Sequence, residues 1–399
     1  MGTPSPLWGE GRGEGLHINE LLTNPEVRER GKQITMEYDF TLADLFKAYF
    51  DCRKNKRCKS CALKFELNLE QNLLKLYKEI KSGNYKIGRC ICFVVTSPKP
   101  REVWAANFRD RIVHHLVYNF ISERFHKRFI HDTYSCIPKK GTLAAGKRLQ
   151  HFTRSITNNY TKKCFYLKAD LANFFVSIDK TVLFNLIKKQ VSEEWILALV
   201  EQIIFNDPTK NVYIKSSRKK MKLIPSYKSL FNADKNHGLP IGNLTSQFFS
   251  NIYLDVIDQY VKRNLKCRYY VRYVDDFVIL AENTRFLNDC FINLRDYAKD
   301  RIHVKLHPRK KLINKIDNGI DFVGYIIKPG RMKLRKRTRT KVFYVIEKWQ
   351  KLYNKFASLE ICKLMKTINS YLGMALHLDE FEREVYLPEG QWKLTSTGE

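Results

Sequence analysis

The segment RYYVRYVDDFVILAE, residues 268–282, decides how the rest of this sequence is interpreted. Two apolar runs flank the adjacent carboxylates Asp275 and Asp276, a pattern that predicts two strands joined by a tight acidic turn. Adjacent carboxylates repel each other, and a position beside a core adds a desolvation cost. Acidic turns are also common on surfaces, so the segment alone leaves a plain surface hairpin as an alternative.

A third carboxylate favours a functional interpretation of this hairpin. Asp170 ends another apolar strand within CFYLKADLANFFVSID, residues 164–179. If a strand of a central sheet places Asp170 beside the hairpin, three negative charges share one pocket. Only bound cations would offset the repulsion between them. Oxygen-only ligands suit Mg²⁺ or Mn²⁺, and two such ions can stabilise the attacking and leaving oxygens of phosphoryl transfer. We therefore expect a nucleotidyltransferase with Asp170, Asp275 and Asp276 as catalytic residues and two Mg²⁺ ions, or Mn²⁺, as cofactor.

The composition favours a nucleic-acid partner. The 399 residues carry 71 Lys and Arg against 41 Asp and Glu, a formal charge of +30. Nucleic acid is the usual polyanion that neutralises such a charge, and an anionic membrane is second. The sequence has no run of 18 apolar residues and no apolar signal core, so we expect no membrane span. Ten scattered cysteines suit free thiols in a reducing cytoplasm, and the lone Cys58/Cys61 pair has no second pair at zinc-site spacing.

Helical and strand patterns are mixed along the chain. Helical spacing is found over 69–80, 109–125 and 245–265, and strand patterns over 90–96, 103–106 and 319–330. Residues 331–341 carry seven positive side chains and are expected to be helical. Because several strands are joined by hairpins, we predict an α+β fold with an antiparallel sheet covered on one face. The Gly- and Pro-rich residues 1–35 are predicted to be a disordered N-terminal extension.

Four segments, in the same order and spacing, resemble the motifs of reverse transcriptases over about residues 40–377. Tyr273-Val274-Asp275-Asp276 looks like the YxDD box, and LKADLANFFVSID resembles the first catalytic motif. GLPIGNLTSQ (238–247) resembles the nucleotide-pocket motif, and FVGY (322–325) resembles the primer-grip hairpin. The resemblance implies a right-hand polymerase with fingers at 36–160, a palm at 161–330 and an atypical or shortened helical thumb at 331–399.

Within this family, the chain is most similar to the reverse transcriptases of diversity-generating retroelements. Ile241-Gly242 followed after three residues by Ser246-Gln247 has the form typical of that group, and four further stretches resemble it: 48–57, 107–117, 128–136 and 368–373. The resemblance implies an RNA-directed DNA polymerase that copies a template-repeat RNA into cDNA with errors at adenines. Its expected partners are template RNA, primer, cDNA, dNTPs and a small basic oligomeric accessory protein. Bacterial antiviral-defence and group II intron-type reverse transcriptases share the catalytic boxes, and a degenerate RNA-binding scaffold is the non-enzymatic alternative.

Matching positions imply further site residues. The backbone carbonyl of Leu171 should join Asp170, Asp275 and Asp276 at the metals. Residues expected to bind the incoming nucleotide are Arg101 at the triphosphate, Phe175 as a steric gate against a 2′-hydroxyl, Ile241, Gly242 and Gln247 around the sugar and base, and Lys310 at the departing pyrophosphate. Residues expected to contact nucleic acid are Lys139, Lys140, Gly324, Tyr325, Arg335 and Arg337.

Several of these positions have plainer explanations. Ile241 could be an ordinary packing residue, Phe175 a core phenylalanine and Arg101 a solvated surface charge. Lys311 is as good a candidate as Lys310 for the pyrophosphate. The glycine turn that contains Gly242 is expected to let the backbone approach the nucleotide without a Cβ in the way.

Overall fold

The computed structural model describes residues 39–54, 56, 59–97, 99–341, 343–344 and 347. The predicted extension at 1–35, Cys58 of the cysteine pair, the stretch at 368–373 and most of the predicted thumb lie outside the described residues. Within the described residues the helices are α1 (Leu42–Arg53), α2 (Ser60–Glu66), α3 (Leu69–Lys81), α4 (Phe108–Arg128), α5 (Thr142–Ile156), α6 (Phe174–Ser177), α7 (Lys180–Lys188), α8 (Glu194–Phe205), α9 (Arg218–Met221), α10 (Leu244–Gln259) and α11 (Thr284–Ile302). The strands are β1 (Cys90–Val95), β2 (Arg101–Ala105), β3 (Phe165–Ala169), β4 (Val212–Ile214), β5 (Tyr270–Tyr273), β6 (Asp276–Ala281), β7 (Leu312–Lys315), β8 (Ile320–Phe322), β9 (Tyr325–Ile327) and β10 (Met332–Leu334).

The chain divides into two compact units. The first contains the described residues up to Lys127 together with Ile178–Ile252. The second contains Arg128–Ser177 together with the described residues from Tyr253 onward. The boundaries expected from the family at residues 160 and 330 stay a prediction.

The first unit holds a three-stranded sheet with the order β2-β1-β4. Strand β1 pairs antiparallel with β2 and parallel with β4, so this sheet is mixed rather than purely antiparallel. Helix α1 begins at a capping box in which Thr41 and Asp44 satisfy each other's backbone N–H groups. Helix α3 has Asn68 at its N-cap, but the Asn68 side chain makes no capping hydrogen bond there.

The second unit holds the sheet that the acidic hairpin predicts. Its order is β5-β6-β3-β7, and all three pairings are antiparallel. A second sheet has the order β10-β9-β8. Buried side chains from α5 and both sheets form one core, which includes Leu149, Phe152, Val271, Val278, Phe322 and Tyr325. Mixed helix and sheet, with antiparallel hairpins, is the architecture that the sequence predicts.

The expectation of a helix from residue 331 is wrong for its first residues. Met332–Leu334 forms β10 and pairs antiparallel with β9, with Met332 opposite Ile327. Met332 is buried, and this apolar contact with the sheet outweighs the helical tendency of the basic run. Helix follows at residues 336–341. In the part of the chain that the structure describes, the helices are too short or too polar to cross a bilayer.

Candidate active site

Strand register brings the three predicted carboxylates to one end of the four-stranded sheet. Strands β3 and β6 are antiparallel, with Ala169 opposite Phe277. The next position along β3 is Asp170, and the preceding position on β6 is Asp276. Asp275 lies in the two-residue turn between β5 and β6, where Tyr273 pairs with Asp276. Asp170 directly after β3, Asp276 at the start of β6 and Asp275 in the β5–β6 turn therefore lie at the same end of the sheet.

The electrostatics of this cluster reflect crowded negative charge. Desolvation, together with the nearby carboxylates of Asp170 and Asp276, raises the pKa of Asp275 to about 7. Desolvation also raises the pKa of Asp276, although the Lys168 ammonium opposes this shift. Near neutral pH the cluster therefore holds more negative charge than its surroundings stabilise, which is the condition that favours a bound cation.

The donor set fits a hard divalent ion. Asp170 Oδ1 is buried and receives no hydrogen bond in the described part of the chain, which leaves a charged oxygen available to a metal. The other oxygen, Oδ2, is paired with the Lys310 ammonium. Among the described residues, no three His, Cys, Asp or Glu side chains are arranged to hold a metal ion. The charge now beside Asp170 is that of Lys310, so ion binding would require the carboxylates and this lysine to readjust.

The backbone around Asp170 is fixed by pairing with the segment before β7. The Asp170 backbone carbonyl accepts a hydrogen bond from the His307 N–H at 2.8 Å, and the Ala172 N–H donates to the Lys305 backbone carbonyl at 2.8 Å. These two bonds form the isolated bridge between Leu171 and Leu306. They leave the Leu171 carbonyl outside the ladder, as its predicted role at the metals requires.

A buried network that the sequence did not indicate supports the acidic turn. Arg272 binds both carboxylate oxygens of Asp258, at 2.7 and 2.6 Å, and also donates to the Val274 carbonyl at 2.9 Å. Asp258 accepts two further hydrogen bonds, from Thr133 and Tyr270. The one available signal was a charged residue, Arg272, inside an otherwise apolar strand.

Two other predicted nucleotide-site residues belong to the same unit. Phe175 is half-exposed on α6, while its neighbour Phe174 is buried and packs against Tyr253 with ring centroids 6.4 Å apart. Of the two candidate lysines, Lys310 reaches Asp170, whereas Lys311 donates to Asn288 at 2.6 Å. The structure therefore places Phe175 and Lys310 in the unit of the carboxylates, and Lys311 away from Asp170.

The remaining nucleotide-site candidates belong to the first unit. Arg101 is exposed at the start of β2 and has no ion-pair partner among the described residues. Ile241 is half-buried, and its carbonyl accepts a hydrogen bond from the Trp104 N–H at 2.7 Å. Gln247 is exposed on the first turn of α10. Their contacts with a nucleotide stay predictions.

Gly242 lies against strand β2 of its own unit. Its φ is +124°, and a Cβ at this position would lie 2.8 Å from Val103 Cγ1 and 3.1 Å from the Trp104 carbonyl oxygen. This close approach to strand β2 requires glycine, and the approach of the turn to a nucleotide stays a prediction. The polar residues that follow also bind their own unit: Asn243 accepts from the Ala106 N–H at 3.1 Å, and Thr245 lies 2.5 Å from a ring nitrogen of His114.

The predicted nucleic-acid residues differ in how accessible they are. Lys139 and Arg337 are exposed. Lys140 donates to the His131 carbonyl at 2.5 Å, and Arg335 lies 3.3 Å from Asp321. Gly324 has φ of +97° in the turn between β8 and β9.

Tyr325 requires a correction. Its side chain is fully buried in the core of the second unit. The ring therefore serves packing, and a contact of this turn with a primer, through residues other than the Tyr325 ring, stays a prediction.

Comparison with known proteins identifies the family. The family model described as reverse transcriptase (RNA-dependent DNA polymerase) matches residues 96–327. A COX1/OXI3 intron 2 protein of Saccharomyces cerevisiae (strain ATCC 204508 / S288c) is 19% identical over an alignment of 319 residues, and the match covers 64% of this chain and 34% of that protein. The chain thus spans about a third of the length of this curated relative.

Two telomerase structures are similar at a lower level. Telomerase from Candida albicans in complex with a fragment of telomeric RNA has a TM-score of 0.44 at 12% identity, covering 72% of this chain and 54% of its own. Telomerase from Candida tropicalis has a TM-score of 0.39 at 13% identity, covering 56% and 44%. Since the matching family model spans more than half of the chain, the protein belongs to the reverse transcriptase (RNA-dependent DNA polymerase) family.

Proposed function

We propose that this reverse transcriptase belongs to a diversity-generating retroelement and copies a template-repeat RNA into cDNA that carries errors at adenines. The catalytic part of this proposal rests on the β3–β6 register, which brings Asp170 to the same end of the sheet as Asp275 and Asp276. The retroelement part rests on Ile241-Gly242 and Ser246-Gln247 in the nucleotide-pocket motif. A small basic oligomeric accessory protein is part of the same proposal.

Asp170, Asp275, Asp276 and the Leu171 carbonyl would hold two divalent ions, Mg²⁺ or Mn²⁺. When bound, these ions stabilise the charge on the attacking 3′-hydroxyl and on the departing pyrophosphate. The buried Oδ1 of Asp170, which no donor reaches, supports this assignment. The predicted fingers, palm and thumb follow from the same family resemblance.

Three further residues are proposed to act on the substrates. Lys310, which already lies at Asp170, is suited to donate a proton to the departing pyrophosphate. The half-exposed ring of Phe175 would leave no room for a 2′-hydroxyl and so favour deoxynucleotides. Arg101 has the planar, five-donor guanidinium that binds phosphate oxygens in pairs.

Primer extension on an RNA template tests the reaction. The wild-type enzyme should add dNTPs to the primer, and Asp275→Asn or chelation of divalent ions should abolish the addition. Asp289→Asn is the matched control, because Asp289 is an exposed acid on α11. Equal synthesis by Asp275→Asn and the wild type would disprove the metal mechanism.

The error pattern tests the retroelement assignment. An isoleucine at position 241 cannot hydrogen-bond the substrate and so fixes it less by polar geometry than a glutamine would. Sequencing of the cDNA should show fewer errors opposite template adenines for Ile241→Gln, whereas Ile241→Leu should keep the wild-type pattern. Unchanged adenine errors in Ile241→Gln would count against this role of Ile241.

A group II intron-type enzyme is the second candidate. The similarity to the yeast intron protein over 319 residues favours it. The two candidates differ in their genomic neighbours: a template repeat with a copy that differs at adenines favours the retroelement. Flanking intron sequence in place of such repeats would favour the intron-type enzyme.

A further inference from the structure

A basic segment of the first unit, defined as residues 208–233, has no part in the proposed active site. Between Asp207 and Asp234 it carries seven Lys and Arg residues and no Asp or Glu. Six of these cations are exposed and have no ion-pair partner among the described residues: Lys215, Arg218, Lys219, Lys220, Lys222 and Lys228. Unpaired like charges this close repel one another, and a bound polyanion would relieve that repulsion.

The same segment exposes aromatic and aliphatic side chains among its cations. Tyr213 is 53% exposed and Tyr227 is 61% exposed. Ile214 and Leu223 are also exposed, and the Lys228 ammonium lies 5.6 Å from the centre of the Tyr227 ring. A phosphate backbone alone offers nothing to such rings, whereas unpaired bases stack on them.

The segment is held in place at both ends, so this surface is preformed. Near its start, β4 forms the edge of the sheet, and the Lys215 N–H donates to the Cys92 carbonyl at 2.8 Å. Near its end, the buried carboxylate of Glu102 accepts from Ser229 Oγ at 2.5 Å and from the Leu230 N–H at 3.0 Å. A ligand would therefore bind with little loss of conformational freedom in the protein.

We propose that the basic segment binds single-stranded RNA, with Tyr213 and Tyr227 stacking on bases and the surrounding cations contacting phosphates. A duplex shields its bases from such rings. The expected accessory protein is itself basic, so its charge does not complement this surface. The helix of the segment, α9, has only four residues, too few for the amphipathic face with which a helix binds a lipid surface.

The proposed function enters only in naming the source of the strand, a single-stranded part of the template RNA. Binding to a labelled 20-nucleotide oligouridine, without primer or dNTP, measures it directly. Tyr213→Ala with Tyr227→Ala removes two stacking rings and should weaken binding by about 30-fold or more, while the salt dependence stays unchanged. Tyr213→Phe with Tyr227→Phe retains both rings and should bind like the wild type.

A charge variant measures the phosphate contacts separately. Replacing Arg218, Lys219, Lys220 and Lys222 by Gln should reduce the slope of log Kd against log salt by up to about 3 for a single strand. The matched control replaces four exposed lysines elsewhere in the first unit, Lys47, Lys64, Lys188 and Lys189, by Gln. This control loses the same net charge and should keep most of the slope.

Three results would overturn the proposal. Equal slopes for the charge variant and its control would show that the segment contacts no phosphates. If the double alanine variant bound single-stranded RNA as tightly as the wild type does, and bound duplex RNA equally well, no base would stack on these rings. Segment-dependent binding to vesicles of phosphatidylglycerol and phosphatidylcholine in equal parts, without binding to RNA, would assign the surface to a membrane. Primer extension is measured in a separate assay. If the protein bound RNA through this segment but extended no primer, the proposed function would be rejected and the RNA-binding proposal would be supported.

Discussion

Arg272 and Asp258 form a buried, bidentate ion pair that is bonded to the turn carrying Asp275 and Asp276. Arg272 is 1% exposed and Asp258 is fully buried. The turn depends on such support, because Val274 has φ of +54°, a left-handed conformation that β-branched residues rarely adopt. A hydrogen bond from Arg272 to the Val274 carbonyl thus links the core to the catalytic hairpin.

Removing the charge of Asp258 should destabilise the protein strongly. Asp258→Asn leaves the Arg272 guanidinium buried without its counter-charge, which costs about 3–5 kcal/mol. Denaturant unfolding of wild type and variant measures this difference. Asp321→Asn is the matched control, since the Asp321–Arg335 pair is half-exposed and is expected to contribute less than about 1 kcal/mol. Similar losses in both variants would refute the special role of the buried pair.

Asp255 should make stability depend on pH. Desolvation and the neighbouring Asp258 charge raise the pKa of Asp255 to about 6 in the folded state. Because the folded form binds the proton more tightly than the unfolded chain, this residue favours folding below pH 4 and penalises it increasingly as pH rises to 6.

Asp255→Asn should therefore stabilise the protein at pH 7–8 by about 3 kcal/mol at most and leave it unchanged near pH 4. Asparagine can still accept the hydrogen bond from Gln259 that Asp255 receives at 2.9 Å. Unfolding curves across this pH range, with the exposed Asp296→Asn as control, measure the effect. A variant that is less stable than wild type at pH 8 would contradict the prediction.

Gly242 should tolerate no side chain. Alanine there combines a positive φ with a Cβ at 2.8 Å from Val103, and the expected destabilisation is about 2–4 kcal/mol. Gly141→Ala is the control, because a Cβ at Gly141 would meet nothing within 4 Å and its φ of −171° is extended backbone. Thermal or denaturant unfolding should separate the two variants, and equal stability would show that β2 yields to the extra atom.

Much of the second unit was predictable from local pattern. Apolar runs on both sides of Asp275 and Asp276 predict β5 and β6, and the bend after Asp170 predicts the end of β3. These short-range signals suffice because alternation and turn chemistry are local. The pairing of β3 with β6 could be predicted because Asp170 was expected to share a metal site with the hairpin.

Long-range packing set the limits of prediction. Asp258 and Arg272 are 14 residues apart on a helix and a strand, and nothing in either pattern announces their pairing. The burial of Tyr325 and the strand at Met332–Leu334 both depend on neighbours in the core of the second unit. The close contact of Gly242 with β2 likewise depends on the folded chain, because no local pattern indicates which strand lies beside this turn.

Lys310 should matter for chemistry, whereas Lys311 should not. Lys310 is paired with Asp170, while Lys311 is held by Asn288 and lies 4.5 Å from the centre of the Phe291 ring. If Lys310 protonates the departing pyrophosphate, Lys310→Ala should lower kcat for single-nucleotide incorporation by about 10²-fold or more, with a smaller change in the KM for dNTP. Lys311→Ala should stay within a few-fold of wild type, and Lys310→Arg, which keeps the charge but holds its proton more tightly, should recover only part of the rate. Rapid-quench incorporation at saturating primer and template measures all three variants. Equal rates for Lys310→Ala and Lys311→Ala would remove Lys310 from the chemical step and leave it as a structural partner of Asp170.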